Sequence, residues 1–207
     1  MSYDLAAAAA TLRTIEPRFA PLVDRHGVPD LTLTRDPFAS LGRAIIYQQL
    51  AGAAAATIHR RFCALFGSGR FPRPARLRAS TVEMLRPAGI SNAKALALLD
   101  LAAHFTDGRV SPRALLQAGD AEVAAMLLPI RGIGPWSVDM FAMFGLCRPD
   151  VWPVGDLGVR QGLQHFLRLR ALPAPERMLR AAAPWRPWRS LAAWYMWRVV
   201  EDRREKR

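Results

Sequence analysis

The 207-residue sequence has little cysteine, little histidine and no long apolar run, and each shortage excludes a class of protein. Its two cysteines, Cys63 and Cys147, lie far apart without Cys-x-x-Cys spacing, so neither a zinc site nor a disulfide framework is expected. The four histidines are scattered and form no ligand pair at helical spacing. The alanine run at 6–10 is too short for a membrane span and lacks the layout of a signal peptide. We therefore expect a cytoplasmic protein that has no membrane contact and needs no catalytic cofactor.

Negative charge is also scarce. The chain has 29 Lys and Arg against 17 Asp and Glu, a net charge of +12, and Arg greatly outnumbers Lys. Guanidinium groups match phosphate oxygens, and each neutralised phosphate releases a counterion, so this excess favours a nucleic-acid partner. A GC-rich genome would also favour Arg and Ala codons. The charge therefore needs support from specific motifs.

No stretch alternates as a β-strand does, and the periodic segments have helical spacing. We therefore predict an all-α protein whose 207 residues form one domain. The charged tail 201–207 is expected to be a solvated, frayed end. The main predicted helices are 3–16, 36–51, 53–66, 92–105, 121–128, 138–146, 157–169, 174–183 and 187–200.

The most informative segment is 128–137, Leu-Pro-Ile-Arg-Gly-Ile-Gly-Pro-Trp-Ser, which separates two of these helices. Gly132 and Gly134 predict a turn too tight for side chains, and Pro135 suits the first position of the second helix. The free N–H groups at that helix start suit a phosphate. A lone Gly-x-Gly turn also ends helices in ordinary all-α proteins, so the functional interpretation depends on Asp156, about twenty residues later.

These residues resemble the signature of the helix-hairpin-helix superfamily of DNA base-excision glycosylases, a Leu-Pro-Gly-x-Gly-type hairpin followed by Asp about twenty residues on. The nearest branch is that of the DNA-3-methyladenine glycosylase II enzymes, which excise alkylated bases. Arg131 precedes Gly132 where the commonest form has Pro-Gly directly, yet the spacing to Asp156 is kept. The phrases Ile-Ile-Tyr-Gln-Gln-Leu-Ala at 45–51 and Pro-Trp-Arg-Ser at 187–190 are also similar to segments of this family.

The resemblance implies a fold of two helical lobes around a DNA-binding cleft. The lobes would be approximately 36–145 and 1–35 plus 146–207, without the N-terminal sheet domain of some relatives. It also implies that the partner is double-stranded DNA with alkylated bases, and that the protein is a nucleoid-associated monomer. The implied reaction flips out a base such as 3-methyladenine or 7-methylguanine and hydrolyses its N-glycosidic bond, leaving an abasic site.

The resemblance assigns the catalytic role to Asp156. Breaking the C1′–N bond leaves oxocarbenium character on the deoxyribose, which a fixed carboxylate stabilises. The alternative is that Asp156 only caps the helix that begins at Leu157. Relatives that also cut the strand use a Lys two residues after the last glycine. Trp136 occupies that position here, so no lyase step is expected.

The resemblance places four side chains in the base pocket: Trp136, Met140, Trp197 and Tyr47. An alkylated purine carries positive charge, so an indole face attracts it more than it attracts a normal base. For the tryptophans that cluster late in the chain, including Trp197, plain packing is the alternative. The predicted DNA contacts are Gln49, Leu50, Arg131, Gly132, Gly134, Ser137 and Lys94.

The wedge residues and Lys94 each have an alternative interpretation, and a cation site is implied by the resemblance alone. Gln49 and Leu50 are candidates for the wedge that fills the gap left by the extruded base, while Leu50 in the core is the alternative. Lys94 would contact a phosphate or simply be solvated. A structural Na⁺ or K⁺ is implied at the main-chain carbonyls of the hairpin residues Leu128, Ile130 and Ile133.

A different class of function is a non-catalytic helix-hairpin-helix module that grips DNA without chemistry. Against it stand Asp156 at the expected distance, the Gln48-Gln49 segment and the single copy of the hairpin. A glycosylase for oxidised or mismatched bases is a third possibility. Trp136 and the lack of a four-cysteine cluster disfavour it.

Overall fold

The computed structural model describes residues 3–50, 52–67 and 69–205, and every regular element in these ranges is helical. The predicted all-α class is confirmed. Ala51, the last residue of the 45–51 phrase, and 206–207 of the charged tail lie outside the described residues. The α-helices are α1 (Leu5–Ile15), α2 (Ala20–His26), α3 (Pro37–Tyr47), α4 (Gly52–Leu65), α5 (Pro74–Arg78), α6 (Val82–Leu85), α7 (Asn92–Thr106), α8 (Pro112–Gln117), α9 (Asp120–Leu127), α10 (Pro135–Met140), α11 (Leu157–Phe166), α12 (Pro175–Ala182) and α13 (Arg189–Glu205).

The chain divides into two compact units. One is Thr34–Phe141, and the other combines Met1–Leu33 with Ala142–Arg207. No helix in the described part of the chain is both long enough and apolar enough to cross a membrane.

The Thr34–Phe141 unit is built around α3. Asp36 caps this helix by accepting the N–H of Ala39 at 3.0 Å, and Pro37 occupies the first turn, as the sequence predicts. The apolar residues Phe38, Leu41 and Ile45 recur at helical spacing and are buried where α3 packs against α4 and α7. The segment that ends this helix therefore has a rigid support.

The other unit is built around the pair α11 and α13. The two helices cross closely at Gly162, where a Cβ atom would lie 2.1 Å from the carbonyl oxygen of Met196. Tyr195 of α13 is fully buried and donates its hydroxyl to the carbonyl of Gly27 at 2.7 Å. Burial raises the pKa of Tyr195 to about 12, so the phenol remains a hydrogen-bond donor at neutral pH.

Two of the late tryptophans are core residues of this second unit. Trp152 and Trp185 are buried and meet edge to face with ring centroids 5.5 Å apart. Trp185 also packs edge to face against Phe19 and Phe166. For these two rings the packing alternative is the correct one.

The Pro-Trp-Arg-Ser phrase fastens the start of α13 to the preceding loop. The buried guanidinium of Arg189 makes two hydrogen bonds to the carboxylate of Asp150, at 2.5 and 2.9 Å. Ser190 Oγ donates to the carbonyl of Arg148 at 2.6 Å and accepts the N–H of Val151 at 2.9 Å. The phrase therefore has a structural role in this unit.

Several helix bounds differ from the predicted ones; α3 ends at Tyr47 rather than at 51, and α11 ends at Phe166 rather than at 169. The second hairpin helix begins at Pro135, as that proline predicts, but within the predicted segment 138–146 its α-helical part ends at Met140, and Phe141–Gly145 forms a π-helical turn. The predicted frayed tail is helical as far as Glu205, because carboxylates of α13 form ion pairs with α2. Asp202 contacts Arg25 and His26, each at 3.1 Å.

Candidate functional site

The hairpin turn occupies residues 128–134, between the end of α9 and the start of α10. Gly132 has φ +77°, in the left-handed region, and a Cβ atom there would lie 2.9 Å from the Cβ of Ala97. Gly134 has an ordinary extended conformation with φ −108°, and an added Cβ would meet nothing within 4 Å. The expectation that the turn excludes side chains is correct for Gly132 and wrong for Gly134.

This difference between the two glycines can be tested by the stability of alanine variants at each position. Gly132→Ala is expected to lower the free energy of unfolding by about 1–2 kcal/mol, because a side chain must adopt the left-handed conformation and displace Ala97. Gly134→Ala, the matched control, is expected to cost less, about 0.5 kcal/mol, because Gly is a better N-cap than Ala but the added methyl meets no atom within 4 Å. Urea unfolding of both variants measures this. Equal losses would contradict the assigned turn geometry.

Side chains from neighbouring helices hold the hairpin backbone. Asp100 of α7 accepts the N–H of Arg131 at 2.7 Å. Gln48, directly after α3, donates its amide to the carbonyl of Gly132 at 3.0 Å and to the hydroxyl of Ser137 at 3.2 Å. The sequence does not predict either anchor, although the Gln-Gln phrase draws attention to Gln48. The Arg131 side chain itself is exposed.

A cavity of about 390 Å³ opens beside the hairpin, within the Thr34–Phe141 unit. Three of the four predicted base-pocket residues, Trp136, Met140 and Tyr47, line it together. The side chain of Trp136 is 45% exposed. The volume is within the range of small-molecule sites, roughly 300–1,000 Å³. The full lining is Ala44, Tyr47, Gln48, Gln49, Leu50, Trp136, Ser137 and Met140.

Tyr47 already has cationic and aromatic neighbours. The guanidinium of Arg43 lies 4.9 Å from the centre of its ring, and the ring of His59 meets it nearly edge-on at 6.2 Å. Burial, and to a smaller extent the charge of Arg43, lowers the pKa of His59, which favours the neutral imidazole. Tyr47 therefore already contacts a cation of the protein.

The two predicted wedge residues lie at the turn that follows α3. Gln49 has φ +56°, which is uncommon for a residue with a side chain and often marks a functional site. Leu50 is 38% exposed. The alternative that Leu50 is a core residue is therefore wrong. Both side chains lie on the surface and line the cavity, as a wedge requires.

Lys94 and Ser137 have partners within the protein. The ammonium of Lys94 donates to the carbonyls of Ile46 and Gln48, at 2.7 and 2.8 Å, and so caps the end of α3. Partial burial lowers the pKa of Lys94. Ser137 is buried, and its hydroxyl accepts the amide of Gln48. The structure thus gives both residues a supporting role where the sequence predicts a phosphate contact, and Lys94 is not a solvated lysine.

Asp156 lies in the other unit, at the start of α11. Its Oδ1 atom accepts the N–H of Val159 at 2.8 Å, so the predicted N-cap exists. The same oxygen accepts the indole N–H of Trp197 at 2.9 Å. A second donor, from a distant part of the chain, therefore fixes the carboxylate more firmly than a cap alone would.

Packing contacts also hold the Trp197 side chain that donates this hydrogen bond. A Cβ atom at Gly158 would lie 2.7 Å from the Trp197 ring, so glycine permits the close approach. The ring also packs on Phe144 with centroids 5.8 Å apart. The sequence assigns Trp197 to the base pocket, whereas the contacts within its own unit make it the partner of Asp156.

The hairpin also contains the carbonyls implied for a monovalent cation. Neutral oxygen donors suit a hard cation, and the carbonyls of Leu128, Ile130 and Ile133 belong to one short turn. The carbonyl of Ile130 accepts the N–H of Ile133 at 3.1 Å, and its second lone pair can still meet a cation. In the described residues, no group of three or more His, Cys, Asp or Glu side chains is arranged to hold a metal ion.

Residues 43–187 match the family model of the HhH-GPD superfamily of base excision DNA repair proteins, and the chain belongs to this superfamily. Within the superfamily, its relatives carry the names of the 3-methyladenine branch. DNA-3-methyladenine glycosylase 1 of Schizosaccharomyces pombe is 33% identical over 147 residues, which are 70% of this chain and 64% of the relative. A putative DNA-3-methyladenine glycosylase of Bacillus subtilis is 31% identical over 163 residues, 76% of this chain and 57% of the relative.

A solved structure gives a fuller match. The Schizosaccharomyces pombe 3-methyladenine DNA glycosylase Mag1, in complex with abasic DNA, superposes with a TM-score of 0.83 at 31% identity. The match covers 92% of this chain and 95% of that chain. The predicted helix-hairpin-helix glycosylase fold is thereby confirmed. The chain spans less than two thirds of the length of the two curated relatives.

Proposed function

We propose that the protein is a monofunctional DNA glycosylase of base excision repair. It binds double-stranded DNA, flips out an alkylated base such as 3-methyladenine or 7-methylguanine, and hydrolyses the N-glycosidic bond. The observation that carries this proposal is the Asp156 carboxylate, which two N–H donors fix at the start of α11. The test is base release from methylated duplex DNA by the wild type and by Asp156→Asn.

The proposed chemistry is electrostatic. As the base departs, positive charge develops on the deoxyribose, and a carboxylate beside the sugar stabilises it. A carboxylate that is already oriented does not have to reorganise during the reaction. The hydrogen bonds from Val159 and Trp197 supply that orientation. Asp156 is also suited to orient or deprotonate the attacking water.

The proposed base site is the cavity lined by Trp136, Met140 and Tyr47. A 3-methyladenine or 7-methylguanine base carries positive charge and is a good leaving group, so the enzyme need not protonate it. The indole of Trp136 attracts this charge through its ring quadrupole. Gln49 or Leu50, exposed at the turn after α3, fills the gap that the base leaves in the duplex.

Two further features of the proposal concern the strand. The residue two positions after Gly134 is Trp136, which cannot form a Schiff base, so the product is an intact abasic site.

The hairpin binds a phosphate near Gly132 and Gly134, with the exposed Arg131 side chain beside it. A Na⁺ or K⁺ held by the carbonyls of Leu128, Ile130 and Ile133 would add positive charge there. The protein is proposed to act as a monomer at the nucleoid.

The hydrogen bond between Trp197 and Asp156 gives a kinetic prediction. Trp197→Phe keeps an aromatic ring beside Phe144 but removes the N–H donor, whose nitrogen is also one of the two ring atoms nearest Gly158. A hydrogen bond to a charged group contributes about 1.5–3 kcal/mol. We expect kcat for 7-methylguanine release to fall about tenfold or more, with KM nearly unchanged, because the carboxylate is less well oriented.

The matched control is Trp188→Phe. Trp188 lies in the same unit and stacks on Tyr3, with ring centroids 5.5 Å apart. Its substitution is expected to leave kcat within about twofold. Equal kcat values for the wild type and Trp197→Phe would show that this indole only packs.

A further inference from the structure

A second, polar cavity of about 260 Å³ lies between α11 and α13, beyond the residues that hold Asp156. Both helices belong to the same unit, and the cavity is lined mainly by groups that can donate hydrogen bonds. Val200 is its one apolar lining residue. The others are Gln161, Gln164, His165, Arg203 and Arg204.

The two arginines give this cavity its positive charge. Within residues 3–50, 52–67 and 69–205, Arg203 and Arg204 form no ion pair and no hydrogen bond, and both are exposed. The acidic side chains of the same helix end have basic partners that do not line the cavity: Glu201 with Arg198, Asp202 with Arg25 and His26, and Glu205 with Arg25. Among the described residues, no acidic partner therefore neutralises Arg203 or Arg204.

The remaining lining groups also suit a negatively charged ligand. The amides of Gln161 and Gln164 are neutral donors, and the amide of Gln164 makes a long contact of 3.5 Å to the carbonyl of Leu169. Two guanidinium groups with neutral donors around a small polar cavity are the chemistry that binds phosphate oxygens. We propose that this cavity binds a phosphate group, and specifically a phosphodiester of the DNA strand that the protein processes.

The position of the cavity on α11 favours DNA as the source of that phosphate. This step rests on the proposed function, in which Asp156 faces the sugar of the extruded nucleotide. Gln161 and His165 lie five and nine residues after Asp156, which is about 7–14 Å along the helix. One strand carries a phosphate about every 3.4 Å of duplex axis, so the cavity would meet a phosphate about two to four nucleotides away.

The test compares two double variants that lose equal charge. Arg203→Gln/Arg204→Gln removes both cations of the cavity. Arg177→Gln/Arg180→Gln, on the exposed face of α12 in the same unit, is the control. Affinity for duplex DNA containing a stable abasic-site analogue is measured by fluorescence anisotropy over a range of salt concentrations.

We expect the cavity variant to bind about tenfold more weakly at 0.15 M salt. The slope of log K against log salt is expected to be less steep by about 1–2 than in the wild type. The control is expected to change the affinity by less than threefold. Equal effects of the two variants on affinity and slope would overturn the proposal, because only general charge would then be involved.

A second arm separates DNA from free phosphate. Inorganic phosphate is titrated into the wild type and the cavity variant by calorimetry. Submillimolar binding to the wild type alone, combined with unchanged DNA affinity of the variant, would overturn the assignment to DNA. Neither arm depends on turnover. A failure of the proposed glycosylase activity would instead appear as absent base release, with these binding results unaffected.

Discussion

Asp156→Asn is expected to reduce the single-turnover rate of 3-methyladenine release by about 10²-fold or more. The substitution removes the negative charge that stabilises the developing oxocarbenium ion, and groups of this kind contribute about 10²–10³-fold to catalysis. It keeps the side-chain oxygen that accepts the N–H groups of Val159 and Trp197. Asn is also as good an N-cap as Asp, so α11 is expected to remain folded.

The variant therefore contains its own control for folding. Its thermal unfolding midpoint is expected to stay within a few degrees of the wild type, and its affinity for DNA with an abasic-site analogue is expected to be retained. Equal release rates for the two proteins would remove Asp156 from the mechanism. If neither protein releases bases but both bind DNA, the non-catalytic module becomes the better description.

Trp136→Ala is expected to slow the release of cationic bases about tenfold or more, and that of the neutral base hypoxanthine distinctly less. A desolvated cation over an indole face gains about 2 kcal/mol, whereas a neutral base gains only stacking. Because Trp136 is 45% exposed, its removal is expected to cost little stability. Release of 7-methylguanine and of hypoxanthine from matched duplexes measures the difference.

A graded control is available at the same position. Trp136→Phe keeps an aromatic face with a weaker quadrupole and is expected to give an intermediate rate for cationic bases. Equal losses for cationic and neutral bases in Trp136→Ala would mean that the ring only shapes the cavity. No loss for either base would place the base site elsewhere.

Local patterns predict the parts of this protein that depend on short stretches of sequence. The Asp36 cap, the proline that starts α10 and the left-handed turn at Gly132 all follow from rules that involve a few neighbouring residues. The cavity residues Trp136 and Met140 are four positions apart on α10, so helical periodicity places them together. Tyr47 joins them through the tertiary fold.

Long-range contacts were the part that the sequence could not supply. The anchors Asp100 and Gln48 meet the hairpin across 31 and 84 residues, and Trp197 meets Asp156 across 41. Each depends on how helices pack, which no local pattern encodes. The same reason explains Lys94, whose ammonium reaches the carbonyls of residues at the end of α3.

In the charged tail, too, long-range contacts determine a structure that the local sequence does not predict. A run of mixed charges normally indicates a solvated end. Here α13 continues to Glu205, because Asp202 and Glu205 form ion pairs with Arg25 at the end of α2. The acids of the tail are thereby engaged, and Arg203 and Arg204 are left to line the polar cavity.

The most direct test of the central claim is a product analysis with the wild-type protein. Duplex DNA methylated at defined purines is incubated with the protein, and free bases and strand integrity are followed together. We expect release of 3-methyladenine or 7-methylguanine, with strands that break only after alkali, because the product is an intact abasic site. Methylated DNA that binds but releases no base, or strand breaks without alkali, would contradict hydrolysis by a monofunctional glycosylase.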